Sequence, residues 1–232
     1  MSDGETASLA AFRLADSALP VGTDSVSYAV EQFAAEDRVT DADDLRDLVE
    51  TYLRRQFGPG DLVALRHAHE AAAGPDPDLS GVVAADRRLT AATTSAEFRE
   101  SSERTGERLL ALQSDLRDDD LLDAYADRLG SDAPGNYAAV LGVVAAREDV
   151  PVREACLVAC HEFATALSQA AQRLFGISHT DLQRTVDDLR PAMVDAVDES
   201  AGRSLAEMEP FAPLVDVLSA RHERADRRLF LS

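Results

Sequence analysis

Lysine is absent from the 232 residues, and all 23 basic side chains are arginine. That excludes a Gly-x-x-x-x-Gly-Lys-Ser/Thr phosphate loop, whose lysine must reach the phosphates. It also excludes a Schiff-base lysine and a Ser-x-x-Lys nucleophile. Cysteine occurs twice, at Cys156 and Cys160, which is too few for a disulfide framework and fits a reducing compartment. No apolar run approaches the roughly 18 residues of a membrane span. The opening Met1-Ser2-Asp3-Gly4-Glu5 is acidic where a secretory signal is basic and then apolar. A soluble, cytoplasmic protein without a membrane partner is expected.

Carboxylates are what the chain has in plenty: 43 Asp and Glu against 23 Arg give a net charge of −20. Nucleic acid is excluded as a partner, because phosphate binding needs a basic face that releases counterions. The acidic residues are dispersed along the chain, and with lysine replaced by arginine they point to a high-salt cytoplasm, where hydrated carboxylates keep a protein soluble. Folding stability should then rise between low ionic strength and molar salt, and a fold equally stable in both would refute a halophilic origin.

With 45% hydrophobic residues the chain can bury a full core. The pattern is helical nearly everywhere. In "TDADDLRDLVETYLRRQF", Leu45, Leu48, Val49, Tyr52, Leu53 and Phe57 recur on one helical stripe, and Thr40 with Asp43 resembles a capping box. Gly58-Pro59-Gly60 is expected to stop this helix and Asp61 to start the next. Further helices are expected over about 95–114, with Phe98, Ser102, Leu109 and Leu112 inward; from Pro134 toward Arg147; from Pro151 to Phe175; and over about 213–227, with a break near Pro191. No stretch alternates as a strand would. The expectation is an all-α, helical-bundle-like single domain of nine or ten helices spanning 1–232, flexible over 1–8 and carrying a C-terminal tail over 221–232.

Candidate chemistry is sparse. Cys156 and Cys160 share a helical face, as metal thiolates would, but with no third cysteine they read as buried small apolar groups. His67 and His69, two apart on a helix, diverge. His179 stands at a helix start, either as a cap or as a partner contact. His222 and Glu223 are adjacent, either an acid–base pair or parts of structural hydrogen bonds. No carboxylate pair is marked by an apolar setting that would raise a pKa.

Five segments, in order, resemble the UreF family of urease accessory proteins over about residues 12–232. "LADSALPVGTDSVSYAVE" keeps the family frame through Leu14, Pro20, Gly22, Ser25, Tyr28 and Glu31, with Ala29 and Val30 where Gly-Leu is usual. "AEFRESSERTGERLLAL" is similar through Glu97, Arg99, Ser102, Gly106, Leu109 and Leu110. "GNYAAVLG" keeps Gly142 but has Asn136 in place of a common histidine. "QAAQRLFGISHTDLQR" agrees at Arg173, Leu174 and Gln183 and departs at Gly176, Ser178, His179 and Leu182. "HERADRRLFLS" is similar through His222, Glu223, Arg228, Leu229, Phe230 and Ser232.

The resemblance implies an all-helical scaffold rather than a catalyst: a homodimer that binds a UreD/UreH-type subunit, recruits the nickel-carrying GTPase UreG and docks on apo-urease. It implies no cofactor, since nickel is delivered by the complex and not held by this chain. It implies that Glu31, Asp61 and Arg173 lie on or near the surface meeting UreG, and Gln183 joins the partner-binding set. His222, Glu223, Arg228, Leu229 and Phe230 belong to a tail that goes to the UreD/UreH-type subunit. There Arg221, Arg224 and Arg228 fall on one helical face, and Leu218, Ala225 and Leu229 on another. Two other readings are a GTPase-activating-type regulator of UreG acting through an arginine and an unrelated helical enzyme with a deep titratable pocket.

Overall fold

The sequence "YAAVLGVVAAR" has polar groups only at its ends, and a helix apolar on every side belongs in the interior. In the computed structural model, which describes residues 3–16, 19–22 and 29–222, it forms α8 (Tyr137–Arg147), buried without interruption from Ala138 to Ala146. Around it lie α4 (Val63–Ala72), α5 (Leu79–Ala92), α6 (Ala96–Leu116) and α9 (Val152–Phe175). The remaining helices are α1 (Asp3–Leu14), α2 (Val30–Ala35), α3 (Ala42–Tyr52), α7 (Asp120–Ala126), α10 (His179–Asp188), α11 (Arg190–Ser200) and α12 (Pro213–His222). The described residues contain no strand, only an isolated bridge between Leu129 and Ala133.

The all-α expectation holds. Among the described residues, twelve α-segments amount to ten rods, because α3 runs into α4 through the π-helical segment Leu53–Leu62 and α10 abuts α11. The break expected near Pro191 is that junction, with the proline in the first turn of α11. The stop expected at Gly58-Pro59-Gly60 does not occur. A proline inside an α-helix meets the carbonyl four residues back, and the wider π turn carries Pro59 instead. The flanking glycines serve packing: a Cβ on Gly58 would lie 2.7 Å from Leu53 O and 3.4 Å from Ala196 Cβ of α11. Phe57 then stacks on Phe163 of α9 at 4.5 Å, with Tyr52 edge-on to the same ring at 5.8 Å.

The cap of α3 is shifted by one residue from the expected box. Asp41 accepts from Asp44 N at 2.9 Å, and the Asp44 carboxylate accepts from Thr40 N and Oγ1 at 3.0 and 2.8 Å. These bonds hold Asp44 below the usual carboxylate range. α1 begins at Asp3, within the stretch expected to be flexible, and buries Ala7, Ala10, Ala11 and Leu14.

One polar cluster sits in this core. Asp86 of α5, fully buried, accepts from Tyr125 Oη at 2.8 Å, Gly135 N at 2.7 Å, Asn136 N at 2.8 Å and Asn136 Nδ2 at 2.7 Å. The Asn136 amide also reaches Asp86 O and Thr90 Oγ1. Asn136, a departure from the family pattern, is thereby a structural residue that fixes the start of α8.

Candidate partner interface

The end of α12 is tied into the fold by charge. His222 is 1% exposed, with Nδ1 2.9 Å from Glu97 Oε2 of α6 and Nε2 3.2 Å from Glu31 Oε2 of α2. Carboxylates only accept, so a ring nitrogen that carries a proton donates to the carboxylate it faces. One residue earlier, Arg221 donates to Glu36 Oε1 at 2.7 Å. Arg221 first, then Gln32 and Arg38, pull the Glu36 carboxyl down to about 2. Ser219 and Ser95 hydroxyls meet at 2.6 Å. Two residues expected to contact partners, Glu31 and His222, are thus brought together as an internal tie at the last described turn of α12. The structural reading of His222 holds, with Glu97 and Glu31 as its partners. Glu223, Arg228, Leu229 and Phe230 lie outside the described residues.

Arg173 and Gln183 also come together, both exposed, on a depression of about 240 Å³ between α9 and α10. The departures from the family pattern here supply turn chemistry. Gly176 takes the left-handed conformation (φ 65°) that ends α9. Ser178 caps α10 by accepting from Asp181 N at 3.1 Å. His179 Nδ1 accepts from Gln172 Nε2 at 3.0 Å, and Leu182 is buried.

Asp61 stands apart from both. It lines a cavity of about 50 Å³ with Gln56, Phe98, Tyr137 and Asp216, room for a water or two. Gln56 Oε1 is buried there without a hydrogen-bond partner. The Asp61 residue keeps an edge toward solvent, but protein packs densely round its carboxyl and desolvation pushes it up to about 7. Beyond Tyr137, whose hydroxyl donates to Glu162 Oε2 at 2.8 Å, burial pushes Glu162 up to about 8. The sequence marks no carboxylate pair by an apolar setting, and the structure sets Asp61 and Glu162 apart singly, each raised by burial. The cavity walls come from the π segment, α5, α6, α8, α9 and the α12 region, and no local pattern announces them.

A measurable consequence follows for Asp61. Its folded pKa, about 7, lies above the ordinary carboxylate range, so the stability it contributes is complete below about pH 4 and is lost as pH rises to about 7. Asp61→Asn should match the parent at pH 4 and be more stable at pH 8 by about 2–4 kcal/mol. Denaturant melts at the two pH values read this directly, and equal stability at pH 8 would mean the carboxyl is hydrated.

The other candidates are structural. Cys156 and Cys160 are free and fully buried, and burial pushes the Cys156 thiol up to about 11 and the Cys160 thiol further. His67 and His69 point their Nε2 atoms at the carbonyls of Arg203 and Val150, each at 2.8 Å. Among the described residues, no three His, Cys, Asp or Glu side chains are grouped to hold a metal ion. No described helix is long and apolar enough to cross a membrane.

Comparison with known proteins bears on what this surface is for. The UreF family profile matches residues 39–190. The chain is 30% identical over 218 residues to urease accessory protein UreF 1 of Brucella melitensis biotype 1, covering 94% of this chain and 89% of that protein. It is 30% identical over 227 residues to urease accessory protein UreF of Bacillus sp. strain TB-90, covering 97% and 98%. For urease accessory protein UreF of Trichodesmium erythraeum the figures are 27% over 227 residues, covering 96% and 95%. The profile takes in the π segment, the Asp86 cluster and the α9–α10 depression, and the relatives extend the match toward both ends. The chain belongs to the UreF family of urease accessory proteins.

Proposed function

We propose that this protein is a cytoplasmic, non-catalytic scaffold of urease maturation. It works as a homodimer, binds a UreD/UreH-type subunit through its C-terminal segment, recruits the nickel-carrying GTPase UreG and presents both to apo-urease. Nickel passes through the assembly as cargo. The observation that carries this reading is the tie at His222: a buried ring between Glu97 and Glu31, with Arg221 on Glu36 beside it. A disposable terminus needs no such anchor. Burying an ionisable side chain is costly unless it is paired, and here the cost is met at the root of a segment rich in arginine with Phe230 near its tip, residue types that carry interface energy. Exposed Arg173 and Gln183 support a second contact, toward UreG, on the α9–α10 side. Glu31, in the tie at His222, and Asp61, on its cavity, stand apart from that contact.

The test is co-purification with the UreD/UreH-type subunit and UreG, repeated with a chain that ends at His222. The full chain is expected to bring down both partners. The shortened chain, with an unchanged circular dichroism spectrum, is expected to lose the UreD/UreH-type subunit. Undiminished capture by the shortened chain would refute the role given to the tail.

A further inference from the structure

Among the described residues, four buried side-chain polar atoms have no hydrogen-bond partner, and three of them belong to one cluster. Gln56 Oε1, on the Asp61 cavity, stands alone. Arg13 Nε of α1 and Gln113 Nε2 and Ser114 Oγ of α6 lie together, where α1 meets the end of α6 and the α8–α9 turn. Arg13 pairs with Glu148 of that turn and donates to Gln113 Oε1 at 3.3 Å. Arg117 pairs with the same carboxylate and donates to the same amide oxygen. Gln113 is 0% exposed. The two guanidiniums fix its orientation, because a flipped amide would turn N–H donors on N–H donors. Its Nε2 is thereby held as a buried donor with no acceptor.

The charge does not balance either. Two arginines share one carboxylate, and Asp119, the other acid whose charge Arg117 feels, is taken by Arg147 at 2.7 Å. Asp115, Asp118 and Asp149 are exposed. Burial, and the charge of Arg13 beside it, pull Arg117 below the ordinary arginine value.

Chemistry selects what meets these donors. An arginine Nε and an amide Nε2 have only protons to give, and the serine hydroxyl can give one. A water that accepted from them would still have to place two protons of its own, and the acceptors beside it, Glu148 and Gln113 Oε1, already serve guanidiniums. An anion accepts from every side and offsets the extra positive charge. The three donor atoms are shut off from solvent, so the occupant has the size of one small ion and not of a carboxylate carried on another protein. The Arg13 side chain, 40% exposed, forms the open side. A chain of net charge −20 repels anions in general, so a bound one needs a local seat of this kind.

We infer that Arg13, Gln113, Ser114 and Arg117 form a binding site for a small monovalent anion such as chloride, which fastens α1 to the rest of the fold. Arg13 apart, α1 is held by Ala7, Ala10, Ala11 and Leu14, little apolar area for a helix of 12 residues.

Chloride is the probe, and sodium gluconate at equal ionic strength, whose anion is too large for the site, is the reference medium. The chlorine NMR line, whose width reports ions held on a protein, should broaden with the full chain. Hydrogen exchange of the α1 amides should slow about 10-fold at a chloride concentration about ten times Kd. Gln113→Glu supplies the negative charge from within, so its α1 amides should exchange slowly in both media and the broadening should be lost. Arg117→Gln leaves Glu148 paired with Arg13; it too should lose the broadening, and its α1 amides should exchange at one fast rate in both media. An unchanged line width with the full chain would mean that water meets the donors, and it reads binding whether or not a variant folds. Broadening that survives in either variant would put chloride elsewhere on the surface. Equal α1 exchange of the full chain in the two media would remove the fastening role. Any of these three results overturns the inference.

Discussion

Asp86→Ala is expected to destabilise the fold by about 4 kcal/mol, lowering the melting temperature by roughly 10 °C. The carboxylate is the shared acceptor for Tyr125 Oη, Gly135 N and Asn136 N, all buried. Removing it strands three donors at once, each costing about 1–3 kcal/mol when unsatisfied, with water in the vacated space recovering part of the sum. Asp86→Asn keeps one acceptor oxygen and should lose about half as much. These partners join α5, the α7 region and the start of α8, so the loss should be global, seen as a single cooperative transition at lower denaturant. A loss below 1 kcal/mol in the alanine variant would mean the cluster is already hydrated and pins nothing.

The second large effect is steric. A Cβ on Gly106 of α6 would stand 2.0 Å from Gly135 O and 2.8 Å from Tyr137 N. On Gly142 of α8 it would stand 2.4 Å from Leu65 O and 3.2 Å from His69 N of α4. These neighbours are backbone atoms of packed elements, which have no rotamer to yield. Alanine favours an isolated helix over glycine by about 1 kcal/mol, but overlap this deep reverses the sign. Gly106→Ala and Gly142→Ala should each lose about 3 kcal/mol or more. Gly4→Ala in α1, where the new methyl meets nothing within 4 Å, is the control and should lose nothing. Denaturant unfolding of the three variants side by side decides the matter, and a stabilised Gly142→Ala would show that α4 and α8 can move apart cheaply.

Much of this fold is legible where local physics and tertiary packing agree. The stripe Leu45, Leu48, Val49, Tyr52 is the buried face of α3, and Ser95 caps α6 where a helix start is expected. Gly58-Pro59-Gly60 is the opposite case: read locally it ends a helix, yet packing of α11 on Gly58 and the π geometry carry the rod through. α5 carries the charged Asp86 in the middle of its buried face, and Ala29, the residue before α2, has a positive φ of 60° that no local rule predicts. The site is harder still to read. The arginine-rich terminus stands out in an acidic chain by composition alone. The pairing of His222 with Glu97 and Glu31 does not, because those residues are 125 and 191 positions away. The walls of the Asp61 cavity are similarly scattered, which is why an acid with an ordinary sequence context ends up with a pKa near neutrality.

Activation of apo-urease in a defined mixture of nickel, GTP, UreG and the UreD/UreH-type subunit, with and without this chain, tests most directly whether it works by joining subunits. Urease activity is predicted to appear only when the chain is present, and to vanish with the chain that ends at His222. Activation that proceeds equally well without it would contradict the account.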